Sequence, residues 1–486
     1  MKPLTQKESG AFFTPTAIAV TLTQWVAQSA TDRLLDPSCG DGQFIVNHPN
    51  SVGVEQDATS ASLAASRAPQ AVVHNADFFV WAAATAERFD CLAGNPPFIR
   101  YQLFKGDTRV RALEQAARLG AKFSGVSSSW APYLVVAASL LKPQGRMAFV
   151  VPAEIGHAPY ALPLLKYLAS NFGQVQVVAV RKKLFPKLSE DCWLLYCDGF
   201  GGSTDHILFS PTDTFEVLEG VRPLSGTTVS IIDMEQNWEG RLRPFLLTAE
   251  QRAAYQLLKS SAETSRLQDL ARVSLGYVSG ANEFFHLRPS EVAALGIPDE
   301  FLQLTVRNSK SIDGETLTQA HVERWLEKDA SCYLLRIEPT AVLPASVLQY
   351  LQSDVAAAVS QGYKCRNRAV WYAVPDVQTP AFLLTYMAGR HASLVANEVT
   401  AASTNSLHCV TPNSAQAKEL MQTCWMSPLT QLSCEIEGHP LGGGMLKLEI
   451  NEAKRILFNA HQALQPEFAE LFESATKEMR RWRHYV

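Results

Sequence analysis

Two kinds of hydrophobic pattern alternate along residues 15 to 200. Apolar residues recur at helical spacing in "TAIAVTLTQWVAQSA", "ATSASLAASRA" and "APYLVVAASLL", whereas "SVGVEQD", "AVVHNADFF", "RFDCLAG" and "GRMAFVVPAEI" contain short runs typical of strands. Because strands that alternate with helices form parallel sheets, this region is predicted to be a doubly wound α/β domain. Ligands of such sheets bind beyond the carboxyl ends of the strands, so the loops that follow the strands are the candidate site loops.

The pattern changes after this region. Residues 201–245 are rich in Gly, Ser, Thr and Pro and are predicted to be a connection with short strands. In residues 246–450, short apolar runs are broken by Pro, Gly and Asn, which favours an irregular α+β domain. The predicted organisation is therefore a first domain, 1–245, a second domain, 246–450, and a helical tail, 451–486.

Composition narrows the class of protein. Of the 486 residues, 47% are hydrophobic and 19% are charged, as in soluble globular proteins. The chain contains no run of about 18 apolar residues and no signal-peptide pattern, so neither a membrane span nor export is expected. Nine cysteines without a Cys-x-x-Cys pair argue against a zinc ribbon and a disulfide framework, which favours a reduced, cytoplasmic setting. No metal site is predicted.

The net charge of −4 neither favours nor excludes nucleic acid as a partner, because binding depends on local patches. Two basic clusters stand out, "RKKLFPK" at residues 181–187 and "KEMRRWRHYV" at the C-terminus. A solvated charged face explains each cluster at least as well as a binding site.

The first three strands end in residues that suit a nucleoside. "DPSCGDG", Asp36 to Gly42, lets a ligand approach the backbone closely, but it lacks the Gly pattern of dinucleotide folds and the Lys of a P-loop. Glu55 after the second strand is placed to accept hydrogen bonds from ribose hydroxyls, and Asp77 after the third to accept from a purine amino group. A nucleoside without phosphates fits these acceptors, and S-adenosylmethionine is the predicted cofactor.

The fourth strand runs into "NPPF", Asn95 to Phe98, and this motif predicts a pocket for an exocyclic amine. Such an amine is a poor nucleophile, and two acceptors on its N–H bonds favour methyl transfer to it. The side-chain oxygen of Asn95 and the carbonyl of Pro96 are the predicted acceptors, with rigid Pro97 holding the latter. The Phe98 ring is predicted to stack on the base, which must first leave the duplex. The pocket suits cytosine N4 as well as adenine N6.

In these motifs the sequence resembles the gamma class of adenine-N6 DNA methyltransferases, the TaqI-like and Eco57I-like enzymes of restriction–modification systems. The resemblance covers nearly the whole chain and implies the class I S-adenosylmethionine-dependent methyltransferase fold with a C-terminal α+β target-recognition domain. By the resemblance, the cofactor-binding residues are Phe13, Thr14, Pro15, Asp36, Pro37, Cys39, Gly40, Glu55, Asp77, Phe78 and Asn95. The catalytic residues are Asn95, Pro96, Pro97 and Phe98, with Phe185 in "KLFPK" as a second aromatic against the flipped base.

The C-terminal half carries further segments that resemble this class, among them "GYVSGANEFF", "YKCRNRAVWY", "AGRHASLVANEVTAASTNSLHCV" and "GGGMLKLE". They matter because the tetrapeptide "NPPF" also resembles motifs of glutamine and ribosomal-RNA methyltransferases, which lack this half. The implied partner is double-stranded DNA. The residues predicted to bind it are Arg100, Lys105, Asn282, Lys364, Arg366, Arg368, Trp371 and Asn405.

Two positions depart from the class pattern: the helix after Gly42 must be very short, and Gln43 stands where a small residue is usual. Two alternative functions stay open, an RNA base methyltransferase and a DNA-specificity component without catalysis. Cys91 as a cytosine-C5 nucleophile is disfavoured, because that chemistry needs a Pro-Cys loop. No nuclease motif is evident, so a restriction endonuclease is expected on another polypeptide, and one site per chain suffices for a monomer.

Overall fold

The structure is a computed structural model that describes residues 14–125, 127–186, 188, 190–215, 225–460 and 466–485. The chain divides into two compact units, Met1–Ala249 and Glu250–Val486. We call them the N-terminal and the C-terminal unit. The pattern of hydrophobic residues predicts this boundary at 245/246.

The N-terminal unit contains a sheet to which nine described strands belong, in the order β3-β2-β1-β4-β5-β7-β6-β8-β9. Strands β1 to β5 pair in parallel, and β7 lies antiparallel between β5 and β6. This order and the alternating helices confirm the predicted class I methyltransferase fold. The strands are β1 Leu34–Asp36, β2 Ser51–Glu55, β3 Val72–Asn75, β4 Phe89–Gly94, β5 Leu141–Pro152, β6 Phe172–Val180, β7 Cys192–Phe200, β8 His206–Thr212 and β9 Thr227–Ser230.

The described helices of this unit surround the sheet. They are α1 Thr16–Val26, α2 Ala58–Arg67, α3 Phe78–Ala84, α4 Gly106–Arg118, α5 Trp130–Ala138, α6 Ala161–Asn171 and α7 Ile231–Trp238. All nine residues of α5 are buried, as expected for a helix that is apolar on every side. Helix α7 lies in the stretch predicted to be a connection with strands.

The connection between β1 and β2 is as short as predicted, because a three-residue 3₁₀ helix, Ile45–Asn47, replaces the usual α-helix. Close packing demands glycine on both sides of it. A Cβ at Gly42, which has a φ of 90°, would lie 3.0 Å from the backbone of Ala64, and a Cβ at Gly53 would lie 2.7 Å from Cys39 Sγ. The Gly turn is therefore held tightly against β2 and α2.

The C-terminal unit has the predicted irregular α+β character. Its described strands form sheets in the orders β11-β20-β16-β18-β14, β12-β15-β13-β19, β17-β22-β21 and β10-β23. The strands are β10 Thr264–Arg266, β11 Ala271–Leu275, β12 His286–Leu287, β13 Leu302–Val306, β14 Thr316–Leu317, β15 Tyr333–Leu335, β16 Phe382–Thr385, β17 Met387–Ala388, β18 Leu394–Asn397, β19 Ala402–Ser403, β20 Leu407–Pro412, β21 His439–Pro440, β22 Leu446–Lys447 and β23 Leu457–Asn459.

Most helices of this unit are short. The described ones are α8 Ala249–Lys259 at the boundary, α9 Leu267–Leu270, α10 Asn282–Phe285, α11 Pro289–Leu295, α12 Gln319–Glu327, α13 Ala345–Leu351, α14 Asp354–Ser360, α15 Tyr363–Arg366, α16 Ala415–Cys424, α17 Pro428–Glu437, α18 Ile450–Ala453 and α19 Pro466–Trp482. The tail predicted to be helical also contains strand β23, which pairs with β10.

The basic C-terminal cluster packs into the C-terminal unit. Arg483, 1% exposed, donates to both carboxylate oxygens of Glu435 on α17, at 2.7 and 2.9 Å. Arg480 donates to the same carboxylate at 3.1 Å. These contacts give the cluster a structural role and attach α19 to α17.

The chain's nine cysteines all lie in described residues, and each is free and buried. Burial raises the pKa of the thiols of Cys332 and Cys409 to about 11. In the described part of the chain, no helix is both long and apolar enough to cross a bilayer.

Candidate active site

The carboxyl ends of β1 and β4 meet at Asp36. Its Oδ1 accepts a hydrogen bond from Ser38 N at 3.1 Å, while Oδ2 is buried without a hydrogen-bond partner among the described residues. A Cβ at Gly94 would lie 2.7 Å from Oδ1, so only glycine before Asn95 allows this contact. Burial, with a smaller contribution from Glu55, raises the pKa of Asp36 to about 8. A buried carboxyl group with one unpartnered oxygen fits the ammonium group of an amino-acid ligand.

Glu55 lies at the end of β2 and organises the Gly turn. Its Oε2 accepts from Gly40 N at 3.0 Å and its Oε1 from Asp57 N at 2.7 Å. Gly40 has a φ of 53°, and a Cβ there would meet nothing within 4 Å. The turn therefore leaves space beside the half-buried Glu55, which fits a ribose whose hydroxyls donate to the carboxylate.

Three other residues predicted to bind the cofactor make contacts within the protein. Asp77 caps α3, because its Oδ1 accepts from Val80 N at 3.0 Å. Phe78 is buried, with its ring centroid 4.4 Å from that of Tyr133. The side chain of Cys39 packs in a small core cluster with Ile45, so only its backbone faces the Gly turn.

Part of the predicted N-terminal cofactor motif can be placed. Thr14 is buried, and Pro15 precedes α1, where its carbonyl accepts from Ile18 N and Ala19 N. Phe13 lies outside the described residues.

Two serines hold the predicted catalytic loop, Asn95 to Phe98, which follows β4. Ser38 Oγ donates to the Asn95 carbonyl at 3.1 Å. Ser129 Oγ donates to the Pro97 carbonyl and accepts from Ile99 N at 2.9 Å. Ser129 N also donates to the Ile99 carbonyl at 3.0 Å. Sequence reasoning missed both serines as site residues. For Ser129, the segment "SSSW" carries no signal that distinguishes one serine from its neighbours.

The two predicted stacking aromatics belong to one hydrophobic cluster. Phe185 is 6% exposed, and the partly buried Phe98 packs against the cluster that contains it. Arg100, predicted to bind DNA, forms an ion pair with Glu190, five residues after Phe185. Lys105 is exposed immediately before α4.

The DNA-binding residues predicted in the C-terminal unit fall into two groups. Asn282, Lys364, Arg366 and Asn405 are exposed. Lys364 lies against the loop of "GYVSG", since a Cβ at Gly280 would be 2.8 Å from Lys364 Cβ. Asn405 is attached to the same loop, because its backbone N–H donates to the Tyr277 carbonyl at 3.0 Å.

Arg368 and Trp371, by contrast, have structural roles. The Arg368 guanidinium donates to the carbonyls of Val278 and Ser279 at 2.9 and 2.7 Å, and to that of Trp371 at 3.2 Å. The Trp371 ring packs in a hydrophobic cluster, 5.7 Å from the ring of Phe284. These contacts engage both side chains inside the protein, and DNA binding by Arg368 and Trp371 stays a prediction.

Among the described residues, no group of three or more His, Cys, Asp or Glu side chains is arranged to hold a metal ion.

Comparison with known families agrees with this geometry. The family of the Type II methyltransferase M.Eco57I, C-terminal domain, matches residues 239–485, and the Eco57I restriction-modification methylase family matches residues 48–185. Type II methyltransferase M.AccI from Acinetobacter calcoaceticus is 19% identical over 93% of this chain and 85% of its own length. Type II methyltransferase M.XamI from Xanthomonas campestris pv. amaranthicola is 24% identical over 92% of this chain and 84% of its own length.

Among solved structures, the DrdV–DNA complex is similar in fold, with a TM-score of 0.50 and 11% identity over 97% of this chain and 57% of that one. The buried Asp36 carboxyl, the Glu55 acceptor and the open Gly turn fit the methyl donor of such enzymes. The chain therefore belongs to the Eco57I family of restriction–modification methylases, with S-adenosylmethionine as its cofactor.

Proposed function

We propose that this methylase transfers a methyl group to the N6 amine of a flipped-out adenine in a specific sequence of double-stranded DNA. The observation that carries the proposal is the loop Asn95 to Phe98. It follows β4 directly, and Ser38 of the Gly turn holds its first carbonyl. Methyl transfer to a base requires a binding site for the base amine next to the loop that binds the methyl donor.

The loop's own groups account for the chemistry. The Pro96 carbonyl accepts no hydrogen bond from the described residues. This carbonyl and the Asn95 side-chain oxygen each accept a hydrogen bond from one N–H group of the target amine. The two hydrogen bonds draw the nitrogen lone pair out of conjugation with the base ring. When bound, S-adenosylmethionine supplies the electrophilic methyl group. Asp36 and Glu55 orient the cofactor, and the aromatic rings of Phe98 and Phe185 hold the base in the pocket.

Recognition of DNA rests on the exposed residues of the C-terminal unit. Lys364 and Arg366 are cationic and solvent-accessible, as contacts to phosphates or guanine edges require. Asn282 and Asn405 present amides on the neighbouring loop and turn. The similar proteins M.AccI and M.XamI are named Type II methyltransferases, which supports a modification role. We propose a separately encoded endonuclease as its counterpart.

A labelled-methyl transfer assay on unmethylated genomic DNA, followed by modification-sensitive sequencing, tests the proposal. We expect methyl-adenine at one short motif, no label with Asn95→Ala, and wild-type labelling with Asn237→Ala. Asn237 is a fair control because it is exposed on α7, outside the loops of the candidate site, and its amide donates to Asp233 on the same helix. Methyl-cytosine at the motif would show that the target is cytosine, which would contradict the assignment to adenine. Label in RNA alone would contradict the proposal as a whole.

A further inference from the structure

We propose that Ser129 and Ser38 form a hydroxyl clamp that positions the Pro96 carbonyl for the target amine. The inference rests on the proposed function. It adds two positioning residues to the catalytic loop and explains how a loop with two adjacent prolines is held in one conformation.

The prolines restrict how the protein can hold this loop. Pro96 and Pro97 have no backbone N–H, so neither residue can donate a hydrogen bond to the surrounding structure. Their φ angles are fixed by the rings, and Pro97 restricts ψ of Pro96 to the extended region. Within that region ψ can still vary, and it sets the direction of the Pro96 carbonyl. At these two residues, only the carbonyl oxygens can take part in hydrogen bonds.

Of three consecutive carbonyls in the loop, the first and third accept hydrogen bonds from serine hydroxyls and the middle one does not. The Asn95 carbonyl accepts from Ser38 Oγ at 3.1 Å, and the Pro97 carbonyl accepts from Ser129 Oγ. The Pro96 carbonyl between them accepts nothing from the described residues. Because the peptides on both sides are fixed, the middle carbonyl is held in direction while its acceptor capacity stays available for the amine.

Ser129 is unusually well placed for this role. It is 2% exposed, and its hydroxyl both donates to Pro97 and accepts from Ile99 N at 2.9 Å. Its own N–H donates to the Ile99 carbonyl at 3.0 Å. A hydroxyl with its donor and an acceptor position both engaged cannot rotate freely, so it fixes the loop more firmly than a single contact would.

The same helix also holds the cofactor loop. Ser129 immediately precedes α5, and Tyr133, one turn later, donates through its hydroxyl to the Pro37 carbonyl. Ser38 then connects the cofactor loop to Asn95. The cofactor loop and the catalytic loop are thus both attached to a fully buried helix. The clamp therefore fixes the distance between the methyl group and the amine as well as the direction of the Pro96 carbonyl.

The test is single-turnover methyl transfer by Ser129→Ala on a duplex that carries the target motif. We expect the rate at saturating cofactor and DNA to fall by roughly 10- to 100-fold, as for a sub-ångström to ångström displacement of reacting groups. Dissociation constants for S-adenosylmethionine and for the duplex should stay within about twofold, because Ser129 contacts neither the Gly turn nor the exposed cationic residues. Ser129→Thr, which keeps the hydroxyl, should recover part of the rate.

Ser139→Ala is the matched control, since Ser139 lies at the other end of α5 and its hydroxyl donates to the Val136 carbonyl of the same helix. Its rate should equal that of the wild type. Equal rates for Ser129→Ala and wild type, or a loss in Ser129→Ala explained entirely by weaker cofactor binding or by a smaller folded fraction in thermal melting, would overturn the clamp. A wild-type protein that transfers no methyl group to DNA would overturn the proposed function, and the clamp with it.

Discussion

The carboxyl group of Asp36 lies in a buried position where a negative charge is unfavourable. It is 1% exposed, its Oδ2 has no partner among the described residues, and its pKa is raised from 3.8 to about 8. The unfolded chain loses this proton near pH 4, while the folded chain keeps it until about pH 8. Asp36 therefore lowers the stability of the cofactor-free protein as pH rises from about 4 to 8, and a cationic ligand removes part of that cost.

Asp36→Asn should consequently stabilise the cofactor-free protein and weaken cofactor binding. The amide keeps an oxygen for Ser38 N but carries no charge to be desolvated, so we expect a gain on the order of 2–4 kcal/mol at pH 7. Denaturant unfolding and calorimetric titration with S-adenosylmethionine measure the two effects. A less stable variant, or one with unchanged affinity, would contradict this role for Asp36.

His286 gives the C-terminal unit a pH dependence of the opposite sign. Burial, with a smaller effect from Arg307, lowers the pKa of His286 to about 4, and its Nε2 lies 2.7 Å from the Tyr277 hydroxyl. The unfolded chain gains a proton near pH 6.5, whereas the folded chain stays neutral to about pH 4. Stability is therefore fully present above pH 7 and is lost as pH falls toward 4.

We expect His286→Gln to reduce the loss of stability between pH 7 and pH 5 by about 2 kcal/mol. Denaturant unfolding at the two pH values provides the comparison, and His206→Gln, at an exposed position of β8, is the control. An unchanged pH dependence in His286→Gln would mean that other groups govern this window.

At the scale of elements, two neighbouring arginines at α15 are expected to have different functions, one in DNA binding and one in stability. Arg366 is exposed, with its guanidinium 5.7 Å from the Tyr363 ring centroid, whereas Arg368 donates to three backbone carbonyls. We expect Arg366→Ala to weaken DNA binding and to lower the salt slope by about 1, with no change in stability. Arg368→Met should cost about 2–4 kcal/mol of stability, because it leaves those carbonyls without their donor. Salt-dependent DNA titrations and thermal melts distinguish the two variants, and a reversed assignment would refute this division.

The attachment of α19 to α17 depends on one buried carboxylate. Arg483→Met should destabilise the protein by about 3–5 kcal/mol, because Glu435 stays buried with fewer donors. Adding Glu435→Gln should recover part of this loss, since the remaining charge is then removed. Denaturant unfolding of both single variants and the double variant gives the coupling free energy. Additive effects would show that the pair does not act as a unit.

The elements and the contacts between them differ in how far sequence could predict them. Hydrophobic periodicity predicted the sheet and the buried helix α5, and the motifs at the strand ends predicted the position of the candidate site, because both signals are local in sequence. The role of Ser129 depends on contacts with residues 30 to 32 positions away, and that of Arg368 on contacts up to 90 positions away. No local pattern distinguishes an arginine that holds a loop from one that faces solvent.

At the scale of the whole molecule, both units contain several cysteines. Cys39, Cys91, Cys192 and Cys197 lie in the N-terminal unit, and Cys332, Cys365, Cys409, Cys424 and Cys434 in the C-terminal unit. All are buried, so each thiol becomes reactive only when its surroundings open. Brief alkylation in rising denaturant, followed by peptide mass mapping, would therefore show without any introduced label which unit unfolds first. Pulses with and without S-adenosylmethionine would then measure how far the methyl donor protects each half of the chain.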